Sequence, residues 1–464
     1  DHTIVGQGNS MLVDGVSTTN SYINCLGWNP GEVVHISGNF TMSDRITFMG
    51  ATGTEANPIY IVNQGVVTIA CPGYENCVVM QGCKWVTMCG NTDPSEQYGF
   101  QLSQGIQAYG FNYNSEYQAW GLKFYGIDIN GQGVNGDCGI GFQIKAVNQS
   151  YSADPAQWWF TDTEVAGCRV RYTNSGGEGI YFGYFHFYGI SGFYPSIAQR
   201  VYFYRNYMED CGRDGIQIGC AINSEVHDNF TKGCGTSEIG DHTNGIQINS
   251  GSGVLVYNNL SIGVSNRDGR ISVFPYEDCK VFNNIFYDPV GAFAGIWFRS
   301  IANQAGAPHD NMSPTLVVDF INNTIVTQGD GLYYFKDVDN VNEANVINNI
   351  FNYAAGKVAR NWTNDQPTTL NVANNYDSQG TANQYFNDIG TEDFTSPQSN
   401  PALTTGQDQT TFYNSILGDK YDGYGLEIVG DWHAGALQYD DETYQQPDPG
   451  QSGGGSLLNL MMGI

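Results

Sequence analysis

Apolar and polar positions alternate along this chain in short bursts, and the bursts repeat. Three segments are near-copies: Gly-Glu-Gly-Ile-Tyr-Phe-Gly (177–183), Arg-Asp-Gly-Ile-Gln-Ile-Gly (213–219) and Thr-Asn-Gly-Ile-Gln-Ile-Asn (243–249). Each leads into a second short strand pattern that ends in an asparagine turn, as in Val-His-Asp-Asn-Phe (226–230), Val-Tyr-Asn-Asn-Leu (256–260) and Val-Phe-Asn-Asn-Ile (281–285). Strands of this kind, rich in β-branched and aromatic residues and cornered by Gly and Asn, predict a β-solenoid when they recur every 20–40 residues or so.

The geometry of one coil accounts for the residue choices. Each strand pairs with its equivalent one coil away, about 4.8 Å along the axis. The period-two rule then sends Ile180, Ile216 and Ile246 inward, with Phe182, Ile218 and Ile248. It sends Tyr181, Gln217, Gln247, Trp297 and Tyr333 outward. Asparagine tolerates left-handed backbone at a corner, and stacked asparagines can bond from coil to coil. Asn206, Asn229, Asn259, Asn284, Asn323, Asn349 and Asn375 are therefore expected to form one structural ladder.

The order of the chain suggests three parts. Residues 1–30 are read as an N-terminal cap and 31–440 as the solenoid domain. Residues 441–464 are a Gly/Ser/Pro linker with an apolar tail, Leu457, Leu458, Leu460, Met461, Met462 and Ile464. Aromatic insertions interrupt the coils at 91–119 and 184–197, and a third insertion spans 303–314. An apolar tail beyond a flexible linker is ordered only if something buries it, so it is expected to pack on a partner or a second copy.

Gly53–Ile69, Lys84–Gly90 with Tyr98–Leu102, and Asp431–Tyr439 resemble the opening, second and closing coils of the right-handed parallel β-helix repeat proteins of the pectate-lyase-like superfamily, in particular secreted bacterial members. The resemblance implies an all-β, right-handed parallel β-helix. It leaves activity open, because this fold hosts lyases, hydrolases, adhesins and structural spikes.

Charge narrows the partners. The chain carries 46 acidic and 18 basic residues, a net charge of −28, which argues against nucleic acid and anionic membranes. No apolar run reaches membrane-spanning length. Acidity is compatible with Ca²⁺ binding, although no cofactor follows from it. Of the 11 cysteines, Cys71, Cys77, Cys83 and Cys89 recur every six residues and are read as disulfide candidates in an oxidising, extracellular setting. Cys138, Cys168, Cys211, Cys220, Cys234 and Cys279 serve equally well as small core residues.

Candidate chemistry gathers before the repeated Gly-Ile. Glu178 and Asp214 occupy equivalent positions on what are expected to be neighbouring coils, a spacing suited to retaining glycoside hydrolysis or Ca²⁺ coordination. Asp241 and His242 are expected one coil on, with Arg213, Arg267, Arg270 and His227 nearby as base or carboxylate clamp. The outward Tyr181, Gln217, Gln247, Trp297 and Tyr333 suit stacking and hydrogen bonding to sugars. Lyases of the superfamily generally need a positively charged cleft, and no Lys-Arg pair recurs at coil spacing here. Two functions follow. The first is a non-enzymatic extracellular assembly subunit, an adhesin or filament component joined through the tail. The alternative is a secreted polysaccharide lyase or glycoside hydrolase.

Overall fold

Each coil lays down three short strands. In one, Leu122–Tyr125 forms face one, Ile127–Asn130 face two and Ile140–Gln143 face three. A computed structural model describes residues 2–19, 21–72, 76–90, 98–109, 119–131, 139–143, 160–173, 177–182, 198–219, 221–235, 243–263, 270–275, 278–288, 295–300, 316–336, 341–362, 367–379, 402 and 406. Among these, faces one and two make a continuous 27-stranded sheet and face three a separate 12-stranded sheet. All coil-to-coil pairings are parallel, and the crossovers are right-handed, as parallel connections demand. The fold is a right-handed parallel β-helix.

Register follows the inward columns. Ile46, Val78, Ile106, Ile140, Ile180, Ile216, Ile246, Ile271, Ile296 and Leu332 succeed one another on face three, all buried. A one-residue slip would turn each of these side chains to the outer face, at about 1.5–3 kcal/mol apiece. Gly179, Gly215 and Gly245 stack as expected. A Cβ on Gly179 would lie 2.4 Å from the Gly215 carbonyl, and one on Gly215 2.6 Å from that of Gly245.

The asparagine pairs divide their labour at the corner between faces one and two. The first residue of each pair adopts left-handed backbone: Asp228 (φ 54°), Asn258 (54°), Asn283 (54°), Asn322 (55°), Asn348 (57°) and Asn374 (52°). The second turns inward and builds the ladder. Asn229 Oδ1 accepts from both the backbone and side-chain amides of Asn206, at 3.1 and 3.0 Å, and the same double bond recurs at every step to Asn375. Each amide nitrogen also donates to a carbonyl of the preceding coil, as Asn259 does to Val226 at 2.8 Å.

Both ends of the solenoid depart from the regular coil. His2–Gly8 is already a rung of the large sheet, parallel to Val33–Thr41, and an antiparallel hairpin of Met11–Val13 and Val16–Thr18 extends it. At the other end, the last members of the inward columns of faces three and two among the described residues are Arg360, after Leu332, and Asp377, after Phe351. Outside the solenoid, Phe230, Leu260, Ile262, Ile285, Val326 and Ile350 form an apolar stripe on face two into which Ala402 is fully buried.

The disulfide expectation is corrected. Cys71, Cys77, Cys83 and Cys89 are free thiols, each fully or almost fully buried. Six-residue spacing reflects their places on strands and corners, not pairing. Cys71 and Cys77 are hydrogen-bonded neighbours, which brings Cys77 down to about 7 and pushes Cys71 well above the usual thiol range. Burial raises Cys83 to about 12. Cys168, Cys211, Cys234 and Cys279 are buried core residues; Cys138 and Cys220 lie outside the described residues.

Candidate active site

Glu178 and Asp214 do stack on adjacent coils. The Gly179 amide donates to the Asp214 carbonyl at 2.9 Å, which fixes the two backbones one rung, about 4.8 Å, apart. Both are closed off from bulk water, at 2% and 0% exposure. Arg213 approaches Glu178, its Nη1 3.5 Å from Oε1.

The next member of this column is Asn244, not Asp241 or His242. Asn244 donates through its backbone and side-chain amides to Asp214 Oδ1, at 2.8 and 2.7 Å. Ser272 donates in turn to Asn244 Oδ1 at 2.5 Å. A relay thus runs along the axis and aims the Asp214 carboxylate. The signal was present in the repeat, where Asn244 precedes Gly245 as Asp214 precedes Gly215. Asn244 carries no titratable group, so acid–base chemistry alone does not single it out. Arg270 pairs by backbone register with Asn244, so it occupies the next coil of the same column. Asp241, His242 and Arg267 lie outside the described residues.

His227 belongs elsewhere. It sits on face one, sandwiched between Tyr204 and Tyr257 with ring centroids 5.1 and 4.7 Å away and planes within 5°. Its Nδ1 lies 2.8 Å from Asp228. Tyr257 continues the stack to Phe282 at 4.9 Å. Both tyrosine hydroxyls bond glutamates, Tyr204 to Glu164 and Tyr257 to Glu225, and burial first, then those carboxylates, raise their pKa values.

The outward column of face three runs Tyr181, Gln217, Gln247, Ser272, Trp297, Tyr333, as the repeat predicts. It is not a uniformly open platform. Tyr181, Gln217 and Gln247 are at most 8% exposed, whereas Trp297 and Tyr333 are half-buried.

Among the described residues, most arginines are held by acids. Arg169 and Arg171 share Asp128, at 2.6 and 3.0 Å. Arg200 holds Asp162, Lys123 holds Glu164, Lys280 holds Asp319 and Arg360 holds Asp377. No group of three or more His, Cys, Asp or Glu converges as a metal site among the described residues, and no described helix is long and apolar enough to cross a membrane. The tail residues Leu457, Leu458, Leu460, Met461, Met462 and Ile464 lie outside the described residues.

No protein-family model matches the chain, and no curated protein matches it in sequence. Solved structures with a similar course of the chain exist. The GH136 lacto-N-biosidase from Eubacterium ramulus is 15% identical over 76% of this chain and 63% of its own, with a TM-score of 0.45. An alginate lyase from Paenibacillus sp. is 14% identical over 69% and 96%, with a TM-score of 0.42. Pectate lyase Pel9A is 11% identical over 90% of both chains, with a TM-score of 0.46. This chain spans 63% of the length of the lacto-N-biosidase it matches. At such identities the likeness is one of fold alone.

Proposed function

We propose that this chain is an extracellular carbohydrate-active protein that hydrolyses a glycosidic bond, with Glu178 and Asp214 as its carboxylate pair. The observation that carries the reading is their stacking one coil apart, with Asp214 aimed by Asn244. Both carboxyls are buried, so the reading requires that substrate binding uncover them; one then protonates the leaving oxygen, and the other attacks or stabilises the anomeric centre. Hydrolysis is favoured over β-elimination because a lyase must neutralise a uronate carboxylate, and most described arginines already hold an acidic partner. A polysaccharide does not cross a membrane unaided, so the work is done outside the cell.

The test is reducing-sugar release across a panel of polysaccharides by the full chain, Glu178→Gln and Asp214→Asn. Loss of at least a thousandfold in both folded variants supports the pair. Full activity in either rejects it.

A second reading, a non-enzymatic assembly subunit, draws on the unfinished last rung. Thr369–Ala373 pairs on one side only among the described residues, and its Val372, in an inward column, is 43% exposed. Deleting residues 457–464 and measuring mass in solution tests it: unchanged assembly, or a full chain monomeric at high concentration, removes this reading.

A further inference from the structure

Gln217 and Gln247 are neighbours on adjacent coils, and the side-chain carbonyl oxygen of each is buried with no hydrogen-bond donor among the described residues. The residues are 1% and 3% exposed. Gln247 Nε2 makes only a long approach, 3.4 Å, to Asn249 Oδ1. Glutamine in this column is not bound to be so. Two coils before Tyr181, Gln107 spans the gap to the Gly141 carbonyl at 3.1 Å and serves the sheet. A buried acceptor with no donor opposes folding, so two side by side point to a ligand that supplies what the protein withholds.

We propose that Gln217 and Gln247 form the acceptor floor of a subsite for an uncharged, hydroxyl-rich sugar. This rests on the carbohydrate-active reading and names the class of glycan. The amide oxygens ask for hydroxyl or amide hydrogens, which neutral and N-acetylated sugars carry in abundance. A uronate would set a carboxylate against acceptors in a column with no charged residue from Tyr181 to Tyr333, beside an arginine already facing Glu178. Trp297 and Tyr333, the more open members, offer apolar faces where a chain of sugars enters.

The experiment compares the full chain with the double variant Gln217→Met, Gln247→Met, which keeps side-chain volume and removes both oxygens. Melting temperature and affinity for neutral and for uronate oligosaccharides are measured. The expected result is a higher melting temperature together with at least tenfold weaker binding of neutral sugars. A lower melting temperature assigns the amides to the fold and overturns the proposal. So does unchanged neutral-sugar binding, a wild type that binds no neutral sugar, or one that prefers uronates. Glu178→Gln and Asp214→Asn separate the two claims. Neutral-sugar binding without cleavage in the wild type ends the hydrolase reading and leaves the subsite; cleavage that is indifferent to the glutamines ends the subsite and leaves the hydrolase.

Discussion

Arg360 grips Asp377 with two hydrogen bonds, 3.1 and 2.8 Å, at positions that continue inward columns of the solenoid. The Arg360 guanidinium also lies 5.7 Å above the Phe351 ring, covering the last apolar layer. A solenoid must stop, and an end coil that presents apolar side chains invites another chain. Replacing both residues by Leu removes the charges from the last described layer and is predicted to give concentration-dependent oligomers in sedimentation. Either single change to Ala should cost no more than about 1 kcal/mol, because the pair is partly exposed.

The asparagine ladder should be steepest in its middle. Asn259→Ala strands the Asn229 amide and the Val226 carbonyl, and about 2–4 kcal/mol of stability is expected to go with it. Asn375→Ala, at the partly exposed end, should cost about 1 kcal/mol. Chemical denaturation of both variants checks the ratio; equal losses would contradict a cooperative ladder.

Gly215→Ala tests the closeness of successive coils. The new methyl would meet the Gly245 carbonyl at 2.6 Å and the Thr231 methyl at 3.0 Å. Backbone on one side cannot yield, so destabilisation of about 1–3 kcal/mol or more is expected in thermal melts.

Thiol chemistry offers a third handle on the fold. The nine described cysteines are buried and free, so alkylation at pH 8 should proceed only as fast as the protein opens. Burial raises Cys83 and Cys168 to about 12 and pushes Cys25 and Cys279 higher still, so none of these four should react from the folded state. Mass spectrometry without reductant should find none of these nine paired.

Acid should loosen the N-terminal hairpin first. Burial opposes ionisation of Asp14, but the Thr3 amide and then the His2 ring outweigh it and hold the carboxyl below its ordinary value. A depressed carboxyl stabilises the fold above its unfolded pKa of about 3.9, and the contribution is lost as pH falls through the folded value. The protection factor of the Thr3 amide should therefore fall toward pH 3 while that of Asn229 holds. Asp14→Asn should remove the difference.

The repeated Gly-Ile and Asn-Asn words announce the coil, because stacking demands the same residue at the same place each time. What resisted reading were positions where the repeat is broken on purpose. Arg360 and Asp377 look like ordinary surface charges until the register puts them over the core. Asn244 carries no titratable group, yet it completes Asp214. The cysteines shared an interval but not an orientation, and interval alone is blind to where a side chain points. Gln217 and Gln247 look like outward sheet residues; only burial shows their oxygens to be without donors among the described residues.

The ladder also separates what this molecule must keep from what it is free to change. Successive rungs are 23, 30, 25, 39, 26 and 26 residues apart in sequence, yet the side-chain bonds between them hold within 2.9–3.0 Å. Contour length is thus absorbed entirely away from that one corner. A loop lengthened or exchanged between faces two and three alters what the surface can recognise while the spine keeps time, so the protein can acquire a new specificity without having to learn a new fold.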